Sequence, residues 1–98
     1  MRVIFNIHSN RAAGAAGWRA RAIMVNDKAD ASLAEALKAV TLADGSRIYD
    51  YIIEEDCLGY NWILVADGIP VSDAHSLKRN IKDNVQMHLM DNPRASGH

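Results

Sequence analysis

The side chains that most often do chemistry are few and scattered in this sequence. The histidines are His8, His75, His88 and His98, and the single thiol is Cys57. No two histidines stand at the i, i+4 spacing that would place both on one helical face as metal ligands. One cysteine excludes an internal disulfide framework and any multi-cysteine zinc or iron–sulfur site. The histidines therefore read as surface or partly buried residues without a ligand role. A reactive thiol needs nearby cations or a positioned base. Cys57 instead follows Glu54-Glu55-Asp56, a solvated turn whose other use would be to steer a basic partner. Gly14 and Gly17 sit in a run of small residues. A phosphate cradle needs a strand-to-helix turn with a fuller glycine pattern. No catalytic residue, metal site or cofactor is expected.

The C-terminus offers a different chemistry. From Asn92 to Gly97 is six residues, a reach of about 20 Å when extended. A glycine at the end of such an arm suits activation of its carboxylate. Having no side chain, it passes through a narrow enzyme channel. With His98 in place that carboxylate is an amide, so activation first requires removal of one residue. The plainer reading is an ordinary frayed terminus. The residues alone leave both open.

The elements that carry these sites can be read in order. Arg2 to His8 alternates, with Val3, Phe5 and Ile7 on one face, and predicts a half-buried strand. Ser9 to Gly17 has no period and reads as a flexible hairpin loop. Trp18 to Asn26 alternates again as a second, antiparallel strand. Ser32-Leu33-Ala34-Glu35 matches a capping box. Leu33, Ala36, Leu37 and Val40 then supply one helical face, predicting a helix from Leu33 to about Leu42 that Asp44-Gly45 ends. Ile48 to Ile53 fits strand and helix equally. Asn61 to Ala66 is a strong strand, Asp67-Gly68 a hairpin turn, and Ile69-Pro70-Val71 an edge strand, because Pro70 donates no ladder hydrogen bond. Ser72 to Asp83 contains one helical turn around Leu77 and Ile81. Val85 to Met90 alternates as a final strand, and a polar tail follows.

Composition sets the outer limits. The 98 residues suit one domain. Hydrophobic and charged fractions of 49% and 23% are ordinary for a globular chain, which argues against global disorder. A formal net charge of −1 gives no electrostatic footprint for nucleic acid. No window approaches the roughly 20 apolar residues of a spanning helix. The N-terminal apolar stretch is too short for a signal-peptide core. The expectation is a cytoplasmic protein with no membrane or nucleic-acid partner.

This order of elements resembles the β-grasp fold of ubiquitin and of the small sulfur carriers for molybdopterin and thiamin synthesis. The clearest stretch runs from Ile63 to Met90. Ile63-Leu64-Val65-Ala66-Asp67-Gly68 is similar to ubiquitin's central strand and turn. Leu77 to Asn84 resembles its short core-plugging turn, and Gln86-Met87-His88-Leu89-Met90 its last strand. The resemblance implies an α+β domain over 1–91, a mixed four- or five-stranded sheet packed on one helix, with a flexible tail at 92–98. A ferredoxin-like sandwich is the runner-up. The segment from Arg47 to Tyr60 looks like an insertion, and Ser96-Gly97-His98 stands where ubiquitin and the sulfur carriers have Gly-Gly.

The resemblance also implies function. One class is a modifier or sulfur carrier that is not itself an enzyme. It would be activated at Gly97 after trimming of His98, as in ubiquitin-like modifiers made with a short trailer. Its partners would be an adenylating or transfer enzyme and a trimming protease. The other class is a non-covalent interaction subunit of a larger enzyme or secretion complex. If Met87 and Leu89 point inward with Ile63 and Val65, then Leu64, His88 and Met90 point outward, where ubiquitin has its main docking patch. Exposed Met and Leu together suit such an anchor.

Overall fold

Two strands from opposite ends of the chain lie side by side at the centre of the molecule. The computed structural model describes residues 1–95. In chain order it contains β1 (Arg2–Ile7), α1 (Asn10–Ala16), β2 (Ala20–Met24), β3 (Asp30–Ser32) and α2 (Leu33–Ala39). There follow α3 (Ile48–Ile52), β4 (Ile53–Glu54), β5 (Cys57–Leu58), β6 (Trp62–Ala66) and β7 (Ile69–Val71). The chain then passes through α4 (Ala74–Leu77) and β8 (Asn80–Lys82) to β9 (Val85–Asp91). The main sheet has the order β2-β1-β9-β6-β7. β1 and β9 are parallel, while β2 on β1, β6 on β9 and β7 on β6 are antiparallel. This is a mixed five-stranded sheet, as expected, and β7 with Pro70 is an edge.

One face of the sheet makes the core. Val3, Phe5 and Ile7 of β1 lie beside Val85, Met87 and Leu89 of β9, and all six are buried. Across β9, Leu64 and Ala66 oppose Leu89 and Met87 and are fully buried too. Leu33, Ala36 and Leu37 of α2 fill this face from above. Each large side chain buried this way contributes about 1.5–3 kcal/mol of transfer free energy.

The local signals explain most helix ends. Ser32 Oγ accepts from the Glu35 amide at 3.1 Å, which is one half of the capping box. The Glu35 carboxylate accepts from Asn26 Nδ2 at 3.1 Å, tying the helix start to the chain that follows β2. α2 stops at Ala39, earlier than the apolar period suggests. Val40 turns extended and carries its own side chain into the core, as does Leu42. Asp44-Gly45 then makes the following turn, with Gly45 at φ 88°. Asp67 and Gly68 both have positive φ, 54° and 74°, the backbone of the tight hairpin turn that the dipeptide announces.

One segment differs from expectation, and one that the sequence left open is settled. Ser9 to Gly17 is not a flexible loop. Ser9 Oγ accepts from the Ala12 amide at 3.1 Å, and Gly17 closes α1 in the left-handed conformation at φ 85°. Ala12, Ala13 and Ala16 are buried, so this short alanine helix is a second packing element beside α2. Arg47 to Tyr60 resolves into α3 and the small β4–β5 hairpin. Ile48, Ile52 and Ile53 anchor it in the core, and α3 packs on α2. It therefore lies on the core side of the sheet.

Leu37 sits at the centre of the α2 face with no exposed surface. Leu37→Ala is expected to destabilise by about 2–5 kcal/mol through lost burial and the cavity left behind. Chemical denaturation measures this, and a change under about 0.5 kcal/mol would contradict the packing described.

Candidate functional site

The face of the sheet away from α2 is lined by the alternate residues of each strand. Ile4 and Asn6 come from β1, His88 and Met90 from β9, and Ile63 and Val65 from β6, all half-buried. Val65 pairs with His88 and with Pro70, and Ile63 pairs with Met90. Asn6 pairs with His88 from the other side. The result is a mostly apolar surface with an imidazole at its middle. Asn6 Nδ2 donates to Gln86 Oε1 and to the Met87 carbonyl, each at 3.1 Å, which fixes the polar margin of this surface.

His88 and Met90 lie where the sequence places them, facing outward. Leu64 does not: it is fully buried opposite Leu89. Directly paired residues share a face. With Met87 and Leu89 inward, Ala66, Leu64 and Trp62 must point inward as well. Ile63 and Val65 occupy the outer positions that Leu64 was expected to share. The run Trp62-Ile63-Leu64-Val65-Ala66 is apolar throughout, so its phase is not written in alternation. The size of Trp62, buried at 7% exposure, resolves it. The available signal was the pairing with β9 rather than β6 alone.

The start of the C-terminal arm is built from three elements. Asp91 ends β9 and accepts from Ser9 Oγ at 2.7 Å. Ser9 is only 2% exposed and at the same time caps α1, so one hydroxyl joins the last strand to the first helix. Arg11 of α1 lies 4.4 Å over the Trp62 ring and 3.6 Å from the Asp91 carboxylate. Asn92 donates its amide to the Asn61 carbonyl at 2.9 Å and its side-chain Nδ2 to the Tyr60 carbonyl at 2.8 Å. Ala95 closes a turn on the Asn92 carbonyl at 3.1 Å. The arm expected to be free from Asn92 onward is thus hydrogen-bonded through its first residues. Gly97 and His98 lie outside the described residues.

The remaining candidates stay apart. Cys57 is exposed on the β4–β5 hairpin, whose turn residues Glu55 and Asp56 have positive φ. His75 is exposed on α4. Gly14 and Gly17 belong to α1 and its cap. No group of three or more potential metal ligands exists among the described residues. No helix among them is long and apolar enough to cross a membrane. The contact that sequence reasoning missed is between His8 and His88, whose rings meet on the outer face.

A mixed sheet with parallel first and last strands, wrapped on α2 and continued by a C-terminal arm, is the ubiquitin-like β-grasp fold. Among solved structures the chain is similar to SAMP1 from Haloferax volcanii, at a TM-score of 0.68 and 17% identity. The match covers 94% of this chain and 96% of that one, so the fold is shared from end to end. No family model and no curated protein matches the sequence.

Two measurements check this site. Ser9→Ala removes both the α1 cap and the bond to Asp91, and is expected to cost about 1–2 kcal/mol. A loss within the roughly 0.5 kcal/mol of an ordinary surface substitution would show that the hydroxyl does not tie the elements together. Met90→Asp is expected to leave a cooperative thermal transition near that of the parent. Leu64→Asp should abolish it, because an unpaired charge on the inner face costs several kcal/mol to bury. The reverse pattern would invert the assignment of the two faces.

Proposed function

We propose that this chain is a ubiquitin-like modifier or sulfur-carrier-type protein, activated at Gly97 after His98 is removed. The observation that carries this reading is the end-to-end match to SAMP1, a small archaeal modifier protein. The chain is a substrate here, not an enzyme. A partner enzyme would use ATP, whose α-phosphorus the Gly97 carboxylate attacks while pyrophosphate leaves. The acyl adenylate is then attacked by a cysteine thiolate of a transfer enzyme to give a thioester, or by hydrosulfide to give a thiocarboxylate, and AMP leaves in either case. Glycine suits this because a β-carbon would narrow the fit of the arm in the enzyme's channel. The turn at Asn92–Ala95, held on Asn61 and Tyr60, sets where the arm leaves the domain. Partners are therefore an adenylating or transfer enzyme and a trimming protease, in the cytoplasm, where ATP is available. Neither nucleic acid nor a membrane is part of this reading.

One observation favours a second use. The outer face presents Ile63, Val65 and Met90 beside His88 and is not covered by α3. Such a surface fits non-covalent docking on a larger enzyme or secretion complex, which needs no free arm.

The deciding experiment compares the full chain with one ending at Gly97, using the adenylating enzyme encoded nearest its gene. The shorter chain is expected to form an adenylate or thioester and the full chain to form neither. Gly97→Ala in the shorter chain should slow transfer. Mass spectrometry of the protein from its native host gives the complementary measurement. A form ending at Gly97, or joined through it to lysine or sulfur, supports the modifier. A protein that always ends at His98 leaves the interaction subunit as the better reading.

A further inference from the structure

His8 and His88 stand 80 positions apart in sequence and meet on the outer sheet face, with His8 Nε2 at 2.9 Å from His88 Nδ1. The ring centroids are 5.2 Å apart and the ring planes are inclined by 21°. That centroid separation equals the nitrogen–nitrogen contact plus one ring radius at each end. The two nitrogens therefore face each other along the line of centres, edge to edge, and the rings do not overlap as a π stack. Because an imidazole lone pair lies in its ring plane, the contact is a single N–H···N hydrogen bond with one proton between two lone pairs.

We infer that this pair is a divalent-cation site with a preference for copper(II), the ion taking the two facing lone pairs from a position beside the N···N line. Two imidazole nitrogens bound cis at about 2.0–2.1 Å and roughly 90° lie about 2.9 Å apart, the separation already present. A tetrahedral ion such as zinc(II) opens the same bite to roughly 3.3 Å and has to move the strands or rings further. The lone pairs point at each other in the hydrogen-bonded pair, so each ring turns by about 45° to aim its lone pair at a point beside the contact. The proton balance is simple. Binding requires both facing nitrogens bare, so His8 keeps its proton on Nδ1 and His88 on Nε2. The shared proton moves to the far nitrogen of the ring that held it, and the neutral pair releases none.

The backbone fixes the donors. Asn6 and Val65 flank His88 on the adjacent strands in sheet register, and the His8 amide donates to the Leu89 carbonyl at 2.8 Å. Both imidazoles thus stem from hydrogen-bonded backbone rather than from free loops, and rotation of the side chains sets the bite. Water would complete the coordination, reaching the ion past the exposed His8 beside the half-buried His88. The inference is independent of whether the C-terminal arm is ever activated.

Calorimetric titration of the full chain with copper(II) alone tests it. One ion per chain is expected, held more tightly than zinc(II) in a parallel titration. His8→Gln and His88→Gln should each weaken copper(II) by no less than the roughly tenfold that loss of an outer-shell partner costs. His75→Gln and His98→Gln should bind as the parent does. Electron paramagnetic resonance at one equivalent should show two equatorial nitrogens in the parent and one in either site variant. Thermal melts of both variants should match the parent, since the two side chains lie outside the core. The inference fails if copper(II) does not bind, or if both site variants bind it as the parent does, which would mean an adventitious ion only. Zinc(II) binding as tightly as copper(II) would overturn the cis geometry.

Discussion

The parallel pairing of β1 and β9 is the constraint on which the rest of the molecule depends. It joins residues about 80 positions apart, from Val3 with Val85 to Ile7 with Leu89. Closing a loop of that length costs conformational entropy that only burial offsets. The six inward side chains of the two strands are all buried, at the centre of the sheet, where that burial is most complete. Because the strands run in the same direction, both finish at the same end of the sheet. β1 leads there into α1 and β9 into the arm, so Ser9 and Asp91 become neighbours. The exit of the arm is a consequence of the central pairing and not a separate feature.

The same pairing assigns the two faces. Once Met87 and Leu89 are inward, the antiparallel register of β6 puts Leu64 and Ala66 inward and leaves Ile63 and Val65 outside. In a period-two structure a shift of one residue moves every side chain to the other face. Leu64 and Ile63 are chemically alike, so composition does not choose between them. Trp62 does, because an indole with Arg11 at 4.4 Å over its ring and Tyr51 beside it fills the end of the core.

Most of the architecture was legible where a local rule and the tertiary structure agree. The alternation of β1, the Ser32 cap, the apolar face of α2, the Asp67-Gly68 turn and the Pro70 edge are each specified by a few adjacent residues. α1 was legible in part. Ser9 and Gly17 are the residues a helix of this length needs at its two ends, but alanine and glycine between them carry little apolar contrast. The small side chains let α1 lie close to β1, a packing role that periodicity does not reveal. Arg47 to Tyr60 was ambiguous because Ile48, Ile52 and Ile53 satisfy both periods. The contact of α3 with α2 decides for the helix, after which Ile53 turns extended.

The outer face was harder to read than the core, and the reason is physical. Core residues are specified by burial, which leaves a pattern in the sequence. Surface chemistry is specified by which strands become neighbours, and β1 and β9 become neighbours only through the whole fold. His8 and His88 show this most clearly. Each is unremarkable in its own segment, flanked by residues that predict an ordinary half-exposed strand. Their separation in sequence excludes every local spacing rule for paired ligands. The register that sets Asn6 beside His88, two residues before His8 on the way to the α1 cap, brings the rings together. Shifting that register by one residue would turn His88 into the core and bring Leu89 out. The imidazole contact and the buried position of Leu89 are therefore two results of one backbone alignment. Whatever stabilises the core in this register also holds the histidine pair in place.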